Sequence, residues 1–226
     1  MKKKLFIAGD STAAQKSGEA KPETGWGEKF SCFLSSEIEV RNYAQNGRST
    51  ESFITEKRLD QIAKEIGPGD FLLIQFGHND QKIDLPIGTM PYEDYQENLA
   101  QFVEVALAKN SFPLLLTSVT RRDNLPDGRL NPETLGDYPE AMIALGERLA
   151  VPVIDVYRLT QDYYQRLGME ETIKLHLHLS TGQHPNYPAG IADNTHFNDY
   201  GAHQIARIIA ENIRLMEHPL SAYVRC

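Results

Sequence analysis

Short runs, most of them continuously apolar, alternate with longer amphipathic ones along this chain, and that alternation constrains its fold more than any other feature. The short runs cover residues 4–8, 38–44, 71–76, 114–119 and 153–157. A strand that is apolar at nearly every position must be buried on both faces. Helical patterns fall between and after them. Residues 49–66 place Phe53, Ile54, Leu59, Ile62, Ala63 and Ile66 on about one face. Residues 92–109 do the same with Tyr95, Leu99, Phe102, Val103, Ala106 and Leu107, and residues 140–149 and 200–216 give two more helices. Strand–helix alternation means βα crossovers, a parallel sheet and an α/β class: a three-layer α/β/α sandwich. No internal repeat or low-complexity linker interrupts the 226 residues, so a single domain over residues 1–226 is expected.

In such sheets the reactive groups gather beyond the carboxyl ends of the strands. The first run leads to Gly9-Asp10-Ser11-Thr12, the second to Asn46-Gly47-Arg48-Ser49, and the third to Gly77-His78-Asn79-Asp80. The fourth leads to Thr120-Arg121-Arg122-Asp123, and the last helix follows Asp193-Asn194-Thr195-His196-Phe197. Ser11 follows a glycine that lets the backbone bend; alone it reads equally as a helix cap. Asp193 and His196, three residues apart on one short loop, supply a carboxylate and an imidazole. Such a pair can take the proton of an attacking serine and return it to a leaving group. Taken separately, they are a turn residue and a solvated histidine. Acyl transfer also needs fixed donors for a carbonyl oxygen that becomes negative; the Gly47 N–H and the Asn79 amide can provide them. Their plain alternatives are a positive-φ turn and a loop-capping amide.

These blocks resemble those of the SGNH, or GDSL-like, hydrolase superfamily, in order and over nearly the whole chain. The first block ends in Thr12 where the superfamily name has leucine. With Gly25-Trp26-Gly27, Gln75-Phe76-Gly77-His78-Asn79-Asp80 and Asp193-Asn194-Thr195-His196-Phe197, the pattern is similar to the rhamnogalacturonan acetylesterase branch. The resemblance implies a flavodoxin-like, five-stranded parallel sheet in the order 2-1-3-4-5. It implies Ser11, Asp193 and His196 as a catalytic triad, with an oxyanion hole of the Ser11 N–H, the Gly47 N–H and the Asn79 side chain. It implies no metal and no organic cofactor, and an acetylated pectic oligosaccharide or another small ester as substrate. A general short-chain esterase, a thioesterase or a lysophospholipase of the same fold is the alternative. A catalytically silent carbohydrate-binding protein is the rival from another class.

Composition bounds the partners. A net charge of −8 argues against nucleic acid, which needs a basic footprint. No run approaches the ~20 apolar residues that span a bilayer, so no membrane partner is expected. Met1 to Lys4 followed by Leu5-Phe6-Ile7-Ala8 imitates an export signal, but Gly9 and Asp10 end the apolar stretch too early. A buried first strand and a cytoplasmic address are expected, with an imported oligosaccharide as the natural substrate. Cys32 and Cys226 lack metal-ligand spacing and read as buried or bystander thiols. Arg48, Lys82, Arg121 and Arg122 form a basic rim that can attract galacturonate carboxylates, with His78 a further substrate contact; ordinary solvated surface is the alternative. His176, His178 and His184 are expected as loop histidines along the cleft and not as a metal site. Trp26 and Tyr187 can stack on sugar rings or pack in the interior.

Overall fold

The computed structural model describes residues 2–225. In chain order the strands are β1 (Lys3–Gly9), β2 (Ile38–Asn42), β3 (Phe71–Gln75), β4 (Phe112–Leu116), β5 (Val153–Ile154), β6 (His176–Leu179) and β7 (Ile191–Phe197). The helices are α1 (Trp26–Lys29), α2 (Thr50–Thr55), α3 (Arg58–Glu65), α4 (Asp94–Ala108), α5 (Tyr138–Leu149), α6 (Val156–Leu167), α7 (Met169–Thr172) and α8 (Asp199–Leu215). Strands β1 to β5 form one parallel sheet in the order β2-β1-β3-β4-β5. This is the α/β architecture expected from the alternation of elements and the strand order that the family resemblance implies.

Alternation of side chains along each strand builds the three layers. Leu5 and Ile7 of β1, Phe71 and Leu73 of β3, and Leu114 and Leu116 of β4 join Trp26, Phe30, Ala202, Ile205, Ile209 and Ile213 in one core. The intervening residues Phe6, Ala8, Leu72, Ile74 and Leu115 join Phe53, Ile62, Leu99, Phe102, Met142 and Leu145 in the other. All of β3 is buried, as a strand covered on both faces must be. Each fully buried Leu, Ile or Phe contributes roughly 1.5–3 kcal/mol, so central strands and helices cannot slide independently.

Three expectations need correction. Residues 49–66 are not one helix: α2 and α3 are separated at Lys57, which adopts a left-handed conformation (φ 59°). The carboxylate of Glu56 takes both Arg48 Nε (3.0 Å) and Arg58 Nε (2.7 Å) there. The apolar spacing continues across the break, so it carries no signal for it. The fifth run gives only Val153–Ile154 as strand. Asp155 ends it by accepting the Arg158 N–H (3.1 Å) and the Thr117 hydroxyl (2.9 Å), which caps the unexpected helix α6. Residues 193–196 lie not on a loop but in β7, paired antiparallel with β6 across a bulge at His176/Leu177.

The leader-like stretch is β1 itself, hydrogen-bonded on both sides, and Met1 lies outside the described residues. No described helix is long and apolar enough to cross a membrane. Cys32 is an exposed free thiol, and Cys226 lies outside the described residues.

Helix α8 tests this layering within a single element. Ile209 is fully buried against the sheet, and Leu215 is 79 % exposed at the helix end. Ile209→Ala should cost about 2–5 kcal/mol by the loss of a buried side chain. Leu215→Ala should change stability by less than about 0.5 kcal/mol. Urea unfolding of both variants, read as midpoint shifts at constant slope, checks the contrast.

Candidate active site

The site begins where β1 leaves the sheet. Gly9 shows no positive φ; its requirement is closeness, because a Cβ there would lie 2.9 Å from the Gln75 carbonyl oxygen of β3. The next residue, Asp10, is fully buried. Its Oδ1 accepts the Thr12 N–H (2.9 Å) and the Thr12 hydroxyl (2.7 Å), and its Oδ2 lies 3.2 Å from His78 Nδ1. Gln75 lies beneath this turn. Its Oε1 accepts from the Trp26 indole (3.0 Å) and lies 3.0 Å from the Thr12 hydroxyl oxygen, and its amide donates to Ser118 Oγ (2.8 Å). Burial works against the Asp10 charge, but the bonds from His78 and Thr12 outweigh it and hold the carboxyl below its ordinary pKa. Burial also pushes His78 below its usual value, so the ring donates as a neutral imidazole.

On this fixed turn Ser11 is nearly buried, and its Oγ lies 2.8 Å from His196 Nε2. His196 Nδ1 lies 2.7 Å from Asp193 Oδ2. The other carboxylate oxygen accepts the backbone N–H of Thr195 (2.7 Å) and of His196 (2.9 Å). A carboxylate only accepts, so Nδ1 carries the imidazole proton and Nε2 is left bare toward the serine hydroxyl. Burial opposes charge on His196, but the hydrogen bond and charge of Asp193 prevail and raise its pKa above 6.5. Burial likewise opposes the Asp193 charge, and its bonds from His196 hold that carboxyl well below the carboxylate range. The arrangement can move a proton off Ser11 and hold it nearby.

The expected donors lie on linked segments: Lys16 joins the Ser11 carbonyl to Asn46, and Asn79 joins the loop of Gly47 at Arg48. Gly47 sits at φ +76°, with nothing within 4 Å of where a side chain would start. Among the described residues the Ser11 and Gly47 N–H groups have no protein acceptor. The Asn79 amide donates one hydrogen to the Arg48 carbonyl (3.0 Å), and its oxygen accepts from Lys82 Nζ (2.7 Å). Its second N–H is left over. Asp80 fastens the two loops together: its Oδ1 accepts the Thr50 N–H (2.9 Å) and hydroxyl (2.6 Å) at the start of α2. Complete burial, opposed by those bonds, pushes its carboxyl up to about 7.

The basic rim is less open than its composition implies. Arg122 donates to Thr172 Oγ1, Asn194 Oδ1 and the Met169 carbonyl, tying α7 to β7. Arg121 donates to the carbonyls of Thr134 and His78. Arg48 uses Nε on Glu56 and one terminal nitrogen on the Asn46 carbonyl. His78 is buried on Asp10, beneath the turn. Trp26 is a core residue bonded to Gln75. The Tyr187 hydroxyl donates to the Ala20 carbonyl. His176 and His178 lie on β6 and not on a loop: His176 is buried, its Nδ1 is 3.3 Å from the His196 carbonyl, and burial pushes it down to about 3. His178 reaches Asn194, and His184 accepts the Asn186 N–H within its own turn. Among the described residues no group of three or more His, Cys, Asp or Glu side chains could hold a metal.

Sequence reasoning missed Lys16, whose side chain is 1 % exposed beside the nucleophile turn. A lone lysine in a polar stretch reads as solvated surface, and its acceptors are brought to it only by folding.

Residues 7–204 match the model of the GDSL-like lipase/acylhydrolase family. The chain is 45 % identical to rhamnogalacturonan acetylesterase RhgT of Bacillus subtilis (strain 168), over 97 % of this chain and 93 % of that protein. It is 34 % identical to the probable rhamnogalacturonan acetylesterase YesY of the same strain, over 96 % and 95 %. The crystal structure of the Bacillus subtilis protein YxiM superposes with a TM-score of 0.80 at 24 % identity, over 95 % of this chain and 57 % of that one.

His196 should therefore titrate above 6.5 in an imidazole NMR experiment on the wild type. In Asp193→Asn the main support for the charged ring is gone while burial still opposes it, so the midpoint should fall from the wild-type value. An unchanged midpoint would mean that Asp193 does not control the ring.

Proposed function

The chain belongs to the GDSL-like lipase/acylhydrolase family, and we propose that it is a serine esterase that removes acetyl groups from acetylated pectic saccharides of the rhamnogalacturonan type. The observation that carries this reading is the unbroken contact Ser11 Oγ–His196 Nε2–Asp193 Oδ2, at 2.8 and 2.7 Å, beside two backbone N–H groups without a protein acceptor. Its substrate rests on the two relatives named for rhamnogalacturonan deacetylation.

In this reading Ser11 Oγ attacks the acetyl carbonyl carbon as His196 Nε2 takes its proton. Asp193 holds the ring in the tautomer that can accept and favours the charged form that results. The carbonyl oxygen, now negative, accepts from the Ser11 N–H, the Gly47 N–H and the Asn79 amide. Each such preorganised donor is worth about 10²–10³ in rate. Collapse expels the sugar oxygen, which takes the proton from His196 and leaves acetyl on Ser11. Water, deprotonated by His196, then releases acetate and restores the serine. The steps call on no metal or organic cofactor.

Residues 1–226 act as one domain here, because the turn after β1 and the strand β7 are both needed. Of the rim cations, Arg48 is the one proposed to meet a galacturonate carboxylate: it follows Gly47 directly, and its second terminal nitrogen makes no hydrogen bond among the described residues. Arg121 and Arg122 then shape the cleft wall, and His78 supports the floor. The cytoplasmic setting belongs to the same proposal.

Acetate release from acetylated rhamnogalacturonan oligosaccharides tests the activity. Ser11→Ala should keep its fold, read by circular dichroism, and lose on the order of 10⁶ in kcat, as removal of a triad serine does elsewhere. Retention of more than a few per cent would refute the assignment. Acetyl esters should also be cleaved far faster than octanoyl esters of the same alcohol. Comparable rates on the two would point to a lipase-like enzyme of this fold instead.

A further inference from the structure

Lys16 is a buried cation beside the Ser11 turn, and its three partners are Ser11 and Glu23 on its own connection between β1 and α1 and Asn46 on the loop after β2. Its Nζ donates to the Ser11 carbonyl (2.5 Å) and to Asn46 Oδ1 (2.6 Å), and it lies 2.6 Å from Glu23 Oε1. Two of the three ammonium donors are thus hydrogen-bonded, and the buried Glu23 Oε1 balances the charge at contact distance. Ser11 carries both the attacking oxygen and one N–H of the oxyanion hole. Asn46 immediately precedes Gly47, which carries the second. Glu23 immediately precedes Thr24, whose N–H donates to the Phe197 carbonyl (2.9 Å), next to His196. One side chain thus ties together the nucleophile, a donor loop and the strand that bears the base.

We infer that Lys16 is a positioning residue that sets the Ser11 and Gly47 N–H groups in register and adds a fixed positive charge beside the developing oxyanion. The inference rests on the esterase reading of this site. Geometry explains why lysine is needed. A planar guanidinium presents its donors in a fork and cannot meet two acceptors and a carboxylate arranged around one point. The charge has a separate effect. Facing His196 are Asp193 on its own strand, Glu23 and Lys16 on the segment between β1 and α1, and two histidines held neutral by burial, His78 and His176. Lys16 repels the imidazolium, whereas Glu23 and Asp193 attract it.

Register and charge can be read apart with a soluble neutral acetyl ester. Lys16→Met should lower kcat about 100-fold, as loss of one well-placed donor does, with KM changed less than about threefold. The pH midpoint of its kcat/KM should move upward, because the imidazolium has lost a repelling neighbour. Lys16→Arg should return that midpoint to the wild-type value while kcat stays low. Glu23→Gln should move the midpoint downward. A purely structural role would not split charge from rate in this way. If Lys16→Met does not fold, Asn46→Ala decides: a kcat about tenfold down at constant KM supports the inference, and wild-type kinetics overturn it. A folded Lys16→Met with unaltered kcat and midpoint overturns it too. Should Ser11→Ala abolish activity beside such a Lys16→Met, only this inference falls; a wild type inactive on every acetyl ester removes both readings.

Discussion

A carboxylate sealed from water must collect its hydrogen bonds from the protein, and Asp10 collects them from Thr12 and His78. An unsatisfied buried charge would cost several kcal/mol, so the turn that supplies these donors has little freedom. It also leaves Ser11 at the end of a strand pinned on both sides. Gln75 extends the constraint downward by joining the turn to Trp26 and Ser118. The polar floor of the site is therefore continuous with the top of both hydrophobic cores, and packing in the sheet is converted into accuracy at one hydroxyl.

The same residue type takes opposite states within this small volume. His78, His176 and His196 are all removed from water to different degrees, and burial favours the neutral ring in each. Only His196 has a carboxylate on one nitrogen and a hydroxyl on the other. His78 shares a carboxylate already engaged by Thr12, and the nearest polar neighbour of His176 is a backbone carbonyl. Proton-transfer capability is a property of the neighbours and not of the imidazole.

Much of the fold was legible in the sequence because strands covered on both faces are apolar at nearly every position; β2, at the sheet edge, is the exception, with Glu39, Arg41 and Asn42. The five runs mark the five strands, and their ends mark the site. The residues Ser11, Gly47, Asn79, Asp193 and His196 could be named because each sits in a short block with its own chemistry. What escaped was whatever depends on distant partners. Strand β7 is polar along most of its length and becomes a strand only by pairing with β6. The break at Lys57 has no glycine or proline to announce it. The arginines looked free because sequence does not show the carbonyls of Met169, Thr134 and His78 that take their donors. Lys16 looked free for the same reason.

The two ends of the reactive contact, Ser11 and His196, lie 185 positions apart in the chain. During synthesis the Ser11 turn leaves the ribosome long before the strand that carries His196. Parallel pairing of β1 with β2 and β3 can begin long before, since long-range contacts close late. A nascent or truncated chain can then hold a nearly complete sheet with an unactivated serine. In the proposed mechanism ester cleavage waits on this long loop closure, so activity reports the docking of β7 and not merely formation of the sheet.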